Sequence, residues 1–223
     1  MDGDIQPIRI LVVEDNPGDL FLLREFLHGT DLSFAEIRHA ANLSAAKQAL
    51  AQQSTDLLFL DLSLPDSFGL ESYIQLQSLT QRVAVILLTG LNDIKIAMQA
   101  LVMGAQDYLV KGDFDEKLLS RAIRYSIERL RNLQFLRESE ERYRELFNNN
   151  PMPMWVFNAK TFRFLEANAA AVQHYGYTLE EFLNRTLADI RLEGNREELM
   201  AEVEAAQYSR DGIKKGILRH VIK

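Results

Sequence analysis

Five short segments rich in apolar residues recur along the first half of the chain, each followed by polar or turn-forming residues. These runs predict β-strands at residues 8–13, 34–38, 57–61, 83–88 and 107–110. Between them, apolar residues recur every three or four positions, which predicts helices at residues 17–29, 43–52, 70–79 and 94–103. Strands that alternate with helices of this length are typical of an α/β fold, a doubly wound parallel sheet with helices on both faces.

The first predicted helix begins next to the acids that end the first strand. Asn16 is a plausible N-cap, and Pro17 takes the first helical position. Asp19 then places a negative charge near the positive end of this helix. Gly29 ends the helix.

The third apolar run is unbroken from residue 57 to residue 60 and ends on Asp61. Such a run is typical of a strand that is buried on both faces in the centre of a parallel sheet. Ligands and chemistry collect at the carboxyl ends of these strands, because the loops converge there. Asp61 is therefore a candidate nucleophile or metal ligand. The run by itself fits equally well an Asp that only caps a turn.

Four further polar residues stand at the ends of predicted strands and would share an edge of the sheet with Asp61: Glu14, Asp15, Thr89 and Lys111. Crowded carboxylates either take up protons or hold a cation, and an oxygen-only set suits Mg²⁺, which usually works with a phosphate. An Asp can form an acyl phosphate, while Lys and Thr can hold phosphoryl oxygens. Each residue alone has an ordinary structural explanation, but their coincidence at successive strand ends favours a reactive site.

Composition narrows the classes of function. The 223 residues carry a net charge of −7, which argues against a dedicated nucleic-acid surface. There is no cysteine, so disulfides and thiol chemistry are excluded. The amino terminus lacks the pattern of a signal peptide, and no apolar run approaches the length of about 20 residues that spans a bilayer. We therefore expect a cytoplasmic chain with neither a nucleic acid nor a membrane as partner.

Four segments resemble the receiver domain of two-component response regulators. They are Ile-Leu-Val-Val-Glu-Asp at 10–15, Leu-Asp-Leu-Ser-Leu-Pro at 60–65, Leu-Thr-Gly at 88–90 and Gly-Ala-Gln-Asp-Tyr-Leu-Val-Lys at 104–111. The resemblance covers residues 6–130 and implies a flavodoxin-like five-stranded sheet. It also implies that Asp61 is the phospho-acceptor, which takes a phosphoryl group from a histidine kinase or a phosphotransfer protein.

The same resemblance implies a Mg²⁺ site beside the phospho-acceptor. Asp15 would bind the ion directly and Glu14 through water, together with Asp61 and the backbone carbonyl of Ser63. None of these signature positions is missing from the sequence.

The resemblance further implies how the phosphoryl group is held and sensed. Lys111 and Thr89 would hold its oxygens. Tyr108 matches the aromatic residue that swings inward when Thr89 moves towards the phosphate. The alternative is that Tyr108 is a half-buried packing residue with one apolar side and one wet end.

After residue 113, helix-favouring residues continue without Gly or Pro as far as residue 147. Apolar or small residues with the spacing of a coiled coil occupy its first part: Leu119, Ile123, Ser126, Leu130 and Leu133. This pattern predicts a connector helix at residues 131–147 and a possible homodimer through it. The alternative is a single amphipathic helix that packs on its own domain, since the pattern lasts only about two heptads.

The last part of the chain resembles a PAS domain. Strands are predicted at 154–158 and 163–167 and a helix at 168–177, and Thr178 caps another helix. The resemblance rests on Phe-Leu-Glu-Ala-Asn at 164–168 and His-Tyr-Gly-Tyr-Thr-Leu-Glu-Glu-Phe at 174–182. A third strand is predicted at 216–223, and the two strands that would complete the sheet are missing. We therefore expect residues 148–223 to be a partial PAS domain, α+β in class, of a longer protein.

No cofactor can be assigned to this second module. The lack of cysteine excludes the flavin-adduct chemistry of light-sensing PAS domains, and His174 is predicted to be a helix-surface residue rather than a haem ligand.

Taken together, these features predict a two-component signalling chain that is a phospho-acceptor and not itself an enzyme. Two alternatives stay open. The chain could be the regulatory fragment of a hybrid histidine kinase or a cyclic-dinucleotide enzyme. It could also be a non-phosphorylated binding module for a nucleotide or flavin. Such a module would favour a Gly-rich loop after the first strand, where this chain instead has Glu-Asp-Asn-Pro at 14–17.

Overall fold

The computed structural model describes residues 7–190. The chain divides into two compact units, Met1–Arg137 and Glu138–Lys223. Each unit has an apolar core of its own.

A five-stranded parallel sheet forms the centre of the first unit. Its strands are β1 (Ile8–Val13), β2 (Phe34–Ala40), β3 (Leu57–Asp61), β4 (Ala84–Thr89) and β5 (Asp107–Val110). Their order in the sheet is β2-β1-β3-β4-β5, and all neighbours are parallel. β3 is the central strand and all five of its residues are buried. The prediction from its unbroken apolar run is confirmed.

Helices cover both faces of this sheet. They are α1 (Pro17–Gly29), α2 (Leu43–Gln52), α3 (Leu70–Leu76), α4 (Ile94–Val102) and α5 (Glu116–Asn148). Buried residues of α2, α3 and α4 share one apolar cluster, and those of α1 and α5 share the other. This is the predicted doubly wound arrangement. One helix is shorter than expected: α3 ends at Leu76, and Leu79 lies exposed in the following turn.

The start of α1 follows the predicted capping pattern. The Asn16 side chain accepts hydrogen bonds from the backbone amides of Gly18 and Asp19, and Pro17 is the first helical residue. These bonds satisfy amides that have no partner within the helix. The cap therefore fixes the first turn of α1 at the carboxyl edge of the sheet.

The 33-residue helix α5 corrects part of the coiled-coil prediction. Leu119 and Ile123 are fully buried in the core beneath the sheet, and Ser126 is almost fully buried. These positions cannot form a seam between two chains, so the alternative of a helix packed on its own domain is right for this part. Farther along, Leu133 is 45% exposed, and pairing of the later positions stays a prediction.

The second unit begins with an antiparallel pair, β6 (Trp155–Phe157) and β7 (Phe164–Ala167). Two short helices follow, α6 (Ala169–Tyr175) and α7 (Leu179–Leu183), and their N-caps are Asn168 and Thr178. These elements match the predicted ones to within a few residues, and His174 is exposed as expected. The strand predicted at 216–223 lies outside the described residues.

A cluster of aromatic side chains forms the core of this second unit. Phe164 and Phe182 pack with ring centroids 4.6 Å apart, and Trp155 and Tyr175 make an edge-to-face contact at 5.4 Å.

Within residues 7–190, no helix combines the length and the apolar character needed to cross a membrane.

Candidate functional site

The carboxyl edge of the sheet brings together the residues that the sequence predicted to meet there. Glu14 follows β1, Asp61 ends β3 and Lys111 follows β5. Glu14 is fully buried, and only 3% of Asp61 is exposed. Burial of two acids at one edge is costly unless a positive charge compensates for it.

Lys111 supplies that positive charge. Its Nζ lies 2.7 Å from Glu14 Oε2, 2.9 Å from Asp61 Oδ2 and 2.9 Å from Asp19 Oδ2. Asp19 and Asp61 accept hydrogen bonds from this ammonium group, and Glu14 forms an ion pair with it. Burial alone would lower the pKa of Lys111, but its contacts with the three acids raise that pKa above its ordinary value. Lys111 is therefore a fixed cation in the middle of the site.

Burial makes the negative charge of Glu14 costly. Burial raises its pKa to about 7, and the negative charge of Asp61 acts in the same direction. The hydrogen bond from Lys111 and that from the backbone amide of Asn16, which reaches Glu14 Oε1 at 3.1 Å, partly oppose this rise in pKa. Burial thus favours the protonated form of Glu14, and its contact with Lys111 favours the ionised form.

Three carboxylates of the site are placed to share a cation. Glu14, Asp15 and Asp61 each offer an oxygen atom, and these atoms all lie within 4.8 Å of one another. Asp15 is exposed, so the cluster opens to solvent on that side. Hard oxygen donors and a water-accessible face fit Mg²⁺, which keeps several of its waters.

The loop after Asp61 is held on two sides. The backbone amide of Ser63 donates to Asp61 Oδ1 at 3.1 Å, and residues 63–68 form a short antiparallel hairpin. At its tip, the carboxylate of Asp66 accepts hydrogen bonds from the first two amides of α2, at 2.8 and 3.0 Å. The loop that carries the Ser63 carbonyl is thereby tied to α2. The role of that carbonyl as a metal ligand stays a prediction.

Thr89 and Tyr108 lie on neighbouring strands. Thr89 is buried at the end of β4, and its hydroxyl donates to the carbonyl of Gly90 at 3.0 Å. Tyr108 is half-buried on β5 and packs against the apolar cluster that includes α4. This is the packing position that we gave as the alternative for Tyr108. The switch role of the two residues stays a prediction.

One contact of the site was missed by the sequence analysis. Asp19 was expected only as an acid near the positive end of α1, yet it shares Lys111 with Glu14 and Asp61. Asp19 lies in the first turn of a helix that begins at the reactive edge. That position is the one signal that could have found it, because the first turn of such a helix faces the ends of neighbouring strands.

The comparison with protein families decides the class of the first unit. A sequence model of the response regulator receiver domain matches residues 10–124, about half of the chain. The chain belongs to this receiver family. A PAS domain model matches residues 141–207. The predicted order of a receiver followed by a PAS domain is confirmed, and the chain is a two-component signalling protein.

Individual relatives match over the receiver part. The transcriptional regulatory protein AruR of Pseudomonas aeruginosa is 35% identical over 128 residues, which are 56% of this chain and 52% of AruR. The swarming motility regulation protein RssB of Serratia marcescens is 32% identical over 114 residues, 51% of each chain. The chain thus spans about half the length of the curated relatives it matches.

Solved structures support the same fold. A response regulator receiver domain protein from Clostridium thermocellum is 26% identical, with a TM-score of 0.50, over 56% of this chain and 98% of that one. A structure described as an adenylate cyclase from Rhodopirellula baltica is 20% identical, with a TM-score of 0.51, over 60% of this chain and 98% of its own. At that identity the second likeness shows the fold alone.

Proposed function

We propose that the first unit is a phosphorylatable switch in which Asp61 accepts a phosphoryl group from a histidine kinase or a phosphotransfer protein. The observation that supports this best is the setting of the Asp61 carboxylate. One oxygen accepts from the Ser63 amide and the other from Lys111, inside a carboxylate cluster that fits Mg²⁺. The chain is then a phospho-acceptor and not an enzyme in its own right.

The chemistry is an in-line displacement at phosphorus. A carboxylate oxygen of Asp61 forms the new P–O bond as the bond between phosphorus and the donor breaks, and the electron pair of that bond leaves with the donor. Bound Mg²⁺, held by Glu14, Asp15 and Asp61 with the Ser63 carbonyl as a further ligand, would supply positive charge for the phosphoryl oxygens. Most of the acceleration in such a reaction comes from position and electrostatics.

Lys111 and Thr89 complete the phosphoryl site in this proposal. Three carboxylates already surround the ammonium group of Lys111, so a phosphoryl oxygen has to compete with them for it. The Thr89 hydroxyl now donates to a loop carbonyl, and it can rotate to donate to a phosphoryl oxygen instead.

The same proposal gives a path for the signal. A move of Thr89 leaves space that Tyr108 can enter, which changes the surface formed by α4, β5 and the start of α5. We propose residues 6–130 as the receiver, residues 131–147 as the connector and residues 148–223 as the PAS sensory module. Exposed apolar residues of the connector, such as Leu133 and Leu136, are the ones that would pair in a homodimer.

Intact mass spectrometry tests the phospho-acceptor directly. The purified chain is incubated with Mg²⁺ and acetyl phosphate, beside Asp61→Asn and a matched control, Asp31→Asn, which removes an exposed acid paired with Arg124. We expect a gain of one phosphoryl group in the parent and in the control but none in Asp61→Asn, and loss of that gain in hydroxylamine, which cleaves acyl phosphates. An equal gain in Asp61→Asn, or none in the folded parent, would refute the proposal.

A further inference from the structure

Asp19 contacts Lys111 from helix α1, whereas Glu14 follows strand β1 and Asp61 ends strand β3. Its Oδ2 lies 2.9 Å from Lys111 Nζ, across 92 positions of the sequence. The first turn of α1 holds Asp19 in place, because the Asn16 side chain caps the amides of that turn. The Asp19 side chain is 38% exposed, so this ion pair is partly solvated.

The three partners of Lys111 are not equivalent. Glu14 and Asp61 belong to the carboxylate cluster that could share a cation, and Asp19 does not. A cation in that cluster competes with Lys111 for the oxygens of Glu14 and Asp61. Asp19 is the partner that such a cation leaves with the lysine.

We infer that Asp19 is a positioning residue that keeps Lys111 paired at the edge of the site while Glu14 and Asp61 turn to the cation. This inference rests on the proposed function, in which a cation must enter before phosphoryl transfer. Without Asp19, a cation that draws Glu14 and Asp61 away leaves a partly buried ammonium group without a partner. Asp19 therefore lowers the free energy that cation binding has to overcome.

A double-mutant cycle separates this role from simple attraction between charges. Mg²⁺ binding is measured by calorimetry on the parent, Asp19→Asn, Lys111→Met and the double variant, in the absence of any phosphodonor. If Asp19 acts through Lys111, Asp19→Asn weakens Mg²⁺ binding about threefold to tenfold in the parent, the range of a charge-assisted bond at a partly exposed site. In the Lys111→Met background there is no lysine to hold, so only the direct loss of charge remains and binding changes less than about twofold.

The cycle also cancels two other effects that Asp19→Asn has on the affinity for Mg²⁺. Loss of a negative charge near the cation, and loss of an acid at the N-terminus of α1, occur in both backgrounds and cancel. Equal losses of affinity in the two backgrounds would therefore overturn the inference, and so would no loss in either. A parent chain that binds no Mg²⁺ would also overturn it.

A second measurement reports on the lysine itself. Lys111 is acetylated briefly with limiting acetic anhydride and quantified by peptide mass spectrometry relative to Lys117, an exposed lysine of α5. We expect Mg²⁺ to raise the labelling of Lys111 severalfold in Asp19→Asn but not in the parent. The same rise in both proteins would contradict the positioning role. Neither measurement needs phosphorylation, so failure of the inference is distinguishable from failure of Asp61 to accept a phosphoryl group.

Discussion

Replacement of the buried acid by its neutral isostere, Glu14→Gln, should stabilise the cation-free receiver at alkaline pH. Burial raises the pKa of Glu14 from its ordinary value of 4.5 to about 7. Such a shift corresponds to about 3 kcal/mol of destabilisation once the acid is ionised in both the folded and the unfolded chain. Gln resembles the protonated acid and carries no charge to bury, so this cost disappears.

The sign of the pH dependence follows from the direction of the shift. Between pH 4.5 and about 7 the folded chain binds more protons at Glu14 than the unfolded chain does, so the stability of the parent falls as the pH rises. Below pH 4.5 both states are protonated, and the parent and Glu14→Gln should have similar free energies of unfolding. Above pH 7 the variant should be more stable by up to about 3 kcal/mol, and the difference should no longer grow.

Urea unfolding at pH 4, 6 and 8, in EDTA, measures this difference. Circular dichroism follows both units, whereas the only tryptophan, Trp155, lies in the second unit and marks its transition separately. Asp15→Asn makes the same change of charge at an exposed acid of the same cluster. If Glu14→Gln stabilises the receiver equally at pH 4 and pH 8, or if Asp15→Asn shows the same profile, burial of Glu14 is not the cause.

Two further predictions concern residues that hold loops in place. Asp66→Ala should weaken Mg²⁺ binding roughly threefold, since it frees the hairpin that carries Ser63. The control Asn42→Ala removes a cap from α2 without touching the hairpin, so it should leave Mg²⁺ binding unchanged. Calorimetry compares the two variants, and equal affinities for Mg²⁺ would show that Asp66 is not needed to hold the hairpin in place. Asn168→Ala should destabilise the second unit by about 3 kcal/mol or more, because several buried backbone groups lose their partner. Trp155 fluorescence in urea checks this, and an unchanged midpoint would contradict it.

The parts of the site that could be predicted are those that strand ends dictate. Glu14, Asp61 and Lys111 each follow an apolar run directly, and parallel strands bring their carboxyl ends to one edge. No contact between these residues has to be known in advance. The central position of β3 could also be predicted, because its unbroken apolar run from residue 57 to residue 60 is typical of a strand covered on both faces.

The contact between Asp19 and Lys111 could not be predicted in this way. It depends on how the first turn of α1 is placed against the end of β5, which no local pattern specifies. The tie between Asp66 and the start of α2 is of the same kind. Both are side-chain contacts between elements far apart in the sequence.

The coiled-coil prediction was wrong in part for a geometric reason. A heptad pattern repeats every 3.5 residues and an ordinary amphipathic helix every 3.6, so the two can be told apart only over a long stretch. Over two heptads the same spacing serves a helix that packs on its own sheet, as Leu119 and Ile123 do.

The first and last parts of helix α5 are each held by the packing of one unit. In the first unit Leu119 and Ile123 are fixed in the core on one face of the sheet. In the second unit Phe147 is buried near the end of the same helix, and the Asn168 side chain donates to its carbonyl at 3.0 Å. The helix contains neither Gly nor Pro between these points. No residue type that commonly kinks a helix therefore interrupts this stretch. Asn168→Ala should weaken that second anchor and leave phosphorylation of Asp61 intact.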